Sequence, residues 1–168
     1  MFISGNSISA GGQARKNRGT KISSKEVFNM PMLKEVMTDT VIAADATDSL
    51  TETAKEMKNN DIGDLPVLEG NKLKGVVTDR DIVIRGLAEG KNPENTEVRE
   101  IMTSKVISAS PDTDVHEGVQ QMESHQVKRL FIVENDNLQG VVTTGDLARN
   151  PQTKDIVDEV QSAIKEEK

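Results

Sequence analysis

Apolar positions recur along this chain in a pattern that appears twice. Val41-Ile42 and Val106-Ile107 are short β-branched runs, each following a Met-Thr turn, and both read as strands. Ser49 stands three residues before Glu52, a capping-box spacing, and Leu50, Ala54 and Met57 then fall on one helical face. Asp114 and Glu117 repeat that spacing ahead of Val115, Val119 and Met122. Apolar strands follow at 65–68 and 130–133. Polar turns at Gly70-Asn71 and Asn135-Asp136-Asn137 return the chain into strands over 73–77 and 138–142. The first return strand leads into a helix through Asp81, Ile82, Val83 and Ile84, ending near Gly86 or Gly90. Ile156, Val160 and Ile164 keep helical spacing at the C-terminus, with Val157 beside them.

The second half is a copy of the first. Residues 37–83 align with 102–148 at a constant offset of 65, without a gap, and 15 of the 47 pairs are identical. The expectation is an α/β (α+β) fold of two β-α-β-β-α repeats. A unit of about 60 residues buries too little core alone, so the copies should pack face to face. The implied organisation is an unfolded leader over 1–30, repeats over 31–92 and 93–150, and a C-terminal helix over 151–168.

Composition narrows the chemistry. There is no Cys, Trp or Tyr, and only three Phe among 168 residues. Thiolate chemistry, disulfides and iron–sulfur ligation are excluded, and the lack of Cys fits a reducing, cytoplasmic setting. Base-stacking platforms need aromatic rings that are missing, so RNA-sheet and single-strand binding modes fall away. No apolar run reaches membrane-spanning length. The net charge of −7 divides into +4 over residues 1–30 and −11 over the rest. An acidic body does not suit nucleic acid as a partner.

The strings Gly75-Val-Val-Thr78-x-x-Asp81 and Gly140-Val-Val-Thr143-x-x-Asp146 carry the candidate chemistry. A Thr closing a strand and an Asp in the next helical turn lie close together. Hydroxyl and backbone N–H groups there suit a phosphate, while a carboxylate can accept from both hydroxyls of a ribose. The same pair also makes an ordinary helix start, with Thr as N-cap. Catalysis finds little support. His116 and His125 do not form a zinc-binding His-Glu-x-x-His helix, and no triphosphate-binding glycine loop with Lys and Ser or Thr occurs. His125 should lie exposed at a helix end.

Together, Met37-Thr38 and Met102-Thr103, the Leu65-Pro66-Val67 strand and the two Gly-Val-Val-Thr-x-x-Asp strings resemble a tandem CBS-domain (Bateman) module of the stand-alone class, over roughly residues 33–150. That resemblance implies a pseudo-twofold pair of repeats, a homodimer, and two clefts that take adenosyl ligands such as AMP, ADP, ATP or S-adenosylmethionine. No obligatory cofactor and no enzymatic activity are implied. By the same resemblance Asp81 and Asp146 correspond to the ribose-binding acid, and Thr78 and Thr143 to the hydroxyl near phosphate. Backbone at Thr40-Val41 and Lys105-Val106 would face adenine, with Pro66 or Phe131 lining the pocket. Lys128-Arg129, where the first copy has Gly63-Asp64, would meet phosphates, and Arg80 of the first copy is Gly145 in the second. The expectation is therefore unequal sites: Asp64 repels phosphate in one cleft, while Lys128, Arg129, Thr143 and Asp146 attract it in the other. A second reading is a ligand-free module for dimerisation or for docking on another protein, with Ile156, Val160 and Ile164 as its contact stripe.

Overall fold

The computed structural model describes residues 30–158. Nearly all of the leader, and the stripe residues Val160 and Ile164, lie outside the described residues. The first repeat contributes α1 (Leu33–Val36), β1 (Ala44–Asp45), α2 (Leu50–Asn60), β2 (Asp64–Glu69), β3 (Lys72–Thr78) and α3 (Asp79–Asp81). Helix α3 continues as a π-helical turn over Ile82–Gly86 and a 3-10 turn over Leu87–Glu89. The second repeat contributes β4 (Ser108–Ala109), α4 (Val115–Ser124), β5 (Arg129–Glu134), β6 (Asn137–Thr143) and α5 (Thr144–Arg149). One six-stranded sheet runs through both, in the order β1-β2-β3-β6-β5-β4. This is the expected α+β architecture.

Local sequence accounts for most of these elements. Ser49 and Glu52 form the capping box that starts α2, and the Asp114 side chain accepts from Glu117 N–H to start α4. The hairpin turns use left-handed backbone at Gly70, Asn135 and Asp136, conformations that Gly, Asn and Asp tolerate best. Two expectations need correction. Strand pairing begins beyond Val41-Ile42 and Val106-Ile107: Ala44 and Asp45 pair with Val67 and Leu68, while Ser108 and Ala109 pair with Phe131 and Ile132. Val41, Ile42 and Val106 precede the ladder without joining it. On α2 the buried face is Leu50, Thr53 and Met57, with Ala54 exposed. Thr53 is tolerated there because its hydroxyl donates to Ser49 O at 2.9 Å.

The repeats are interlocked rather than merely stacked. Leu33, from the segment leading into the first repeat, is fully buried in the core of the second with Val115, Leu130 and Val142. Val98 and Ile101, from the segment leading into the second, sit in the core of the first with Leu50, Leu65 and Val77. Backbone bonds fix both crossings. Leu33 N–H donates to Thr113 O at 2.8 Å and Val98 N–H to Asp48 O at 2.8 Å. Thr38 then bridges to Val141, and Thr103 to Val76. The partners in each pair of contacts differ by the repeat offset, so a pseudo-twofold relates the two halves. Ile156 and Val157 pack into the second core, so this part of the C-terminal stripe covers its own domain.

Candidate functional site

Both Thr-x-x-Asp strings fold as capping boxes at the end of the sheet. Thr143 hydroxyl donates to Asp146 Oδ2 at 2.6 Å, and Asp146 N–H donates back to Thr143 Oγ1 at 3.1 Å. Thr78 and Asp81 match this with 2.8 and 3.1 Å. The helix-cap role is thus present in both repeats. It engages one carboxylate oxygen, Oδ2, and leaves Oδ1 to other partners. Arg149 Nη2 holds Oδ1 of Asp146 at 2.8 Å from a side chain that is 79% exposed. Arg85 Nε stands 3.4 Å from Oδ1 of Asp81, and its Nη1 donates to Ile101 O and Thr103 Oγ1. Partial burial pushes the Asp146 carboxyl up, but the Thr143 hydroxyl, the Arg149 guanidinium and the Thr143 N–H together hold it below the usual aspartate range.

A cleft of about 320 Å³ opens beside the second cap, within the size range of small-ligand sites. Its walls come from both repeats. The crossing segment supplies Thr38, Thr40, Val41 and Ile42; β2 and the residues before it supply Ile62, Asp64 and Pro66. Arg129, Phe131, Val141, Thr143, Asp146 and Arg149 complete it from the second repeat. The lining thus combines apolar Val41, Pro66 and Phe131 with two guanidinium groups, Arg129 and Arg149, and two carboxylates, Asp64 and Asp146. No single repeat could build it, which is a direct consequence of the exchanged lead-in segments.

Of the residues singled out from sequence, Thr40, Val41, Pro66, Arg129, Phe131, Thr143 and Asp146 line this cleft. Lys128 does not. Its side chain is exposed and precedes β5, and alternation along the strand sends Arg129 into the cleft instead. Gly145 is exposed, and a Cβ there would meet Thr143 Oγ1 only at 3.6 Å, so the position does not demand glycine. Thr78 and Asp81 belong to the other cap, with Arg80 exposed beside them. Lys105 and Val106 are the repeat counterparts of Thr40 and Val41 and do not line this cleft.

The expectation that Asp64 and Arg129 serve separate clefts requires correction. Positions 64 and 129 are equivalent, and equivalent positions near a twofold axis face each other. Both residues line the same cleft, where the Arg129 guanidinium pairs with the Asp64 carboxylate. Sequence reasoning also missed Arg85 and Arg149. The available signal was their helical spacing, four and three residues after Asp81 and Asp146.

The tandem repeat pair agrees with comparisons against known proteins. A family model described as CBS domain matches residues 33–86 and again 98–152. The chain belongs to the CBS domain family. Both matches begin inside the crossing segments. Among relatives, the CBS domain-containing protein YhcV of Bacillus subtilis is 37% identical over 126 residues, covering 75% of this chain and 89% of that protein. Hypoxic response protein 1 of Mycobacterium tuberculosis is 34% identical over 122 residues, covering 72% of this chain and 85% of its own. A crystal structure of Hypoxic Response Protein I with two coordinated zinc ions superposes with a TM-score of 0.65 at 33% identity, covering 71% of this chain and 98% of that one. Among the described residues here, no group of three or more His, Asp or Glu side chains is placed to hold a metal. The CBS domain pair of protein MJ0100, in complex with 5-methylthioadenosine and S-adenosyl-L-methionine, superposes with a TM-score of 0.61 at 28% identity, covering 72% of this chain and 95% of that one. Relatives of this chain thus include stand-alone tandem CBS proteins of similar size. No helix among the described residues is long and apolar enough to cross a membrane.

Proposed function

We propose that this CBS pair is a non-catalytic regulatory module that binds an adenosyl ligand in the inter-repeat clefts. The observation carrying the reading is the cleft of Val41, Pro66, Phe131, Thr143 and Asp146. An adenine ring fits between Val41 and the Pro66–Phe131 wall, with backbone at Thr40-Val41 along its edge. The ribose hydroxyls reach Asp146 Oδ1 once the exposed Arg149 swings aside, and Arg149 and Arg129 then face a phosphate. In the other cleft Thr78, Asp81, Lys105 and Val106 take the same roles. MJ0100, with its adenosine-derived ligands, supports the class of ligand. Binding changes the module only through its different affinity for the states it can adopt.

Equilibrium dialysis tests this directly, because a chain without Trp or Tyr barely absorbs where adenine does. AMP and S-adenosylmethionine are dialysed against the wild-type chain, Asp81→Ala and Asp146→Ala. AMP retention should fall about tenfold or more in Asp146→Ala, the loss of one charge-assisted pair of hydrogen bonds. Retention unchanged in both variants would refute the assignment.

One observation favours a second role in self-association. Val83, Ile84 and Leu87 are each about half exposed on one face of the turns after α3. Their counterparts in the second repeat are Ala148, Arg149 and Gln152. We infer that a second copy of the chain covers this face. Leu87→Asp should then shift the sedimentation of a dimer toward that of a monomer, and an unchanged species would exclude this face.

A further inference from the structure

The ion pair between the repeats has a position that gives it more than a packing role. Asp64 stands opposite Thr78 in the β2–β3 ladder, and Arg129 stands opposite Thr143 in the β5–β6 ladder. Each therefore flanks the cap of its own repeat. The two side chains meet across the pseudo-twofold, with Arg129 Nη1 also 3.4 Å from Asp64 O. Neither is sealed from water: the side chains are 30% and 32% exposed. A pair this open contributes little by itself, so a ligand phosphate can displace the carboxylate from the guanidinium.

We propose that this ion pair couples the two clefts, with a sign set by ligand charge. The inference rests on the adenosyl-ligand reading above. A phosphate bound beside Thr143 draws Arg129 away from Asp64. The released Asp64 carboxylate, which lines the cleft beside Thr143 and also stands opposite Thr78 in the β2–β3 ladder, then lacks its counter-ion and disfavours an anion beside Thr78. A neutral or cationic adenosyl ligand is not penalised. By linkage the effect is reciprocal: an anion beside Thr78 weakens anion binding beside Thr143 by the same factor.

The test follows AMP and adenosine by equilibrium dialysis on the full chain. In the wild type the second AMP should bind about tenfold or more weakly than the first, within the usual range of coupling between sites. Asp64→Asn should bring the two AMP affinities within about threefold. If Asp64→Asn fails to fold, the double variant Asp64→Arg with Arg129→Asp keeps the pair and reverses it. The tighter AMP site should then depend on Asp81 instead of Asp146. Two equal AMP sites in the wild type, a second AMP site unmoved in Asp64→Asn, or continued dependence on Asp146 in the swapped variant would each overturn the coupling while leaving adenosyl binding intact. Retention of neither AMP nor adenosine by the wild type would overturn the adenosyl reading and the coupling with it.

Discussion

The two repeats share one backbone plan and differ in charge at one central pair of equivalent positions, Asp64 and Arg129. Beside the first cap stand Asp64, Asp81 and Arg85; beside the second stand Arg129, Asp146 and Arg149. The strands, hairpin registers and capping boxes between them are equivalent residue for residue. Duplication has thus kept the strand registers and caps while the charge between them diverged to Asp64 in one copy and Arg129 in the other. The comparison also teaches why neither repeat stands alone. Leu33 belongs to the first in sequence and to the second in space, while Val98 and Ile101 show the converse.

That exchange can be broken most severely at Leu33. Leu33→Ala should destabilise the protein by about 3 kcal/mol, the usual cost of emptying a fully buried leucine site. Hydrogen exchange should show β5 and β6 losing protection before β2 and β3, although the mutation lies in the first repeat's own lead-in. Equal loosening of both halves would contradict the assignment of Leu33 to the second core. The two crossings can next be compared through their glycines. A Cβ on Gly75 would lie 2.6 Å from Met102 Sδ and 2.8 Å from Thr103 O, and one on Gly140 would lie 2.8 Å from both Met37 Sδ and Thr38 O. The methionine can move, but the carbonyl is tied to Val76 or Val141 in its bridge. Gly75→Ala and Gly140→Ala should each cost about 2 kcal/mol in urea unfolding, a typical overpacking penalty. A large cost at one site alone would mean that the interlock is one-sided.

Much of the architecture was legible because local rules act within each copy. Period-two and helical spacing located the hairpins and helices, and Thr-x-x-Asp located both caps. Seven of the cleft-lining residues were also in view before the fold was known. Three things were hidden, each for a physical reason. The exchange was hidden because both copies offer the same Gly-Val-Val strand, so packing on one's own repeat and on the other look alike in sequence. The meeting of Asp64 with Arg129 was hidden because it depends on the axis of the pair, which no single copy encodes. Thr53 in place of Ala54 was hidden because a hydroxyl bonded back to Ser49 O is as easily buried as a methyl group.

The smallest effects concern pH, and they separate two carboxyls of the second repeat with opposite signs. Burial raises the pKa of Glu123, whose Oε1 has no hydrogen-bond partner, with a smaller opposing influence from His116. Its counterpart in the first repeat is Lys58. A raised acid penalises the folded state while ionised, so stability should rise as pH falls from neutral through its folded pKa toward the ordinary glutamate value of 4.5. Asp146 is lowered on balance, so its contribution is present above the ordinary aspartate value of 3.8 and is lost as pH falls through its folded pKa. Asp45 and Glu52 are also lowered, by the Thr47 hydroxyl and the Ser49 N–H respectively, so the raw acid limb is shared. Difference curves against single variants isolate each group. The Glu123→Gln curve should flatten the rise above pH 4.5 and raise stability at pH 7, because a neutral amide removes the charge that burial penalises. Subtracting the Asp146→Asn curve from the wild type should leave a plateau of about 1 kcal/mol or less above pH 5, declining only below 3.8. A plateau that instead grew toward acid would place Asp146 in an environment that disfavours its charge, and with it remove the carboxylate that the adenosyl reading needs.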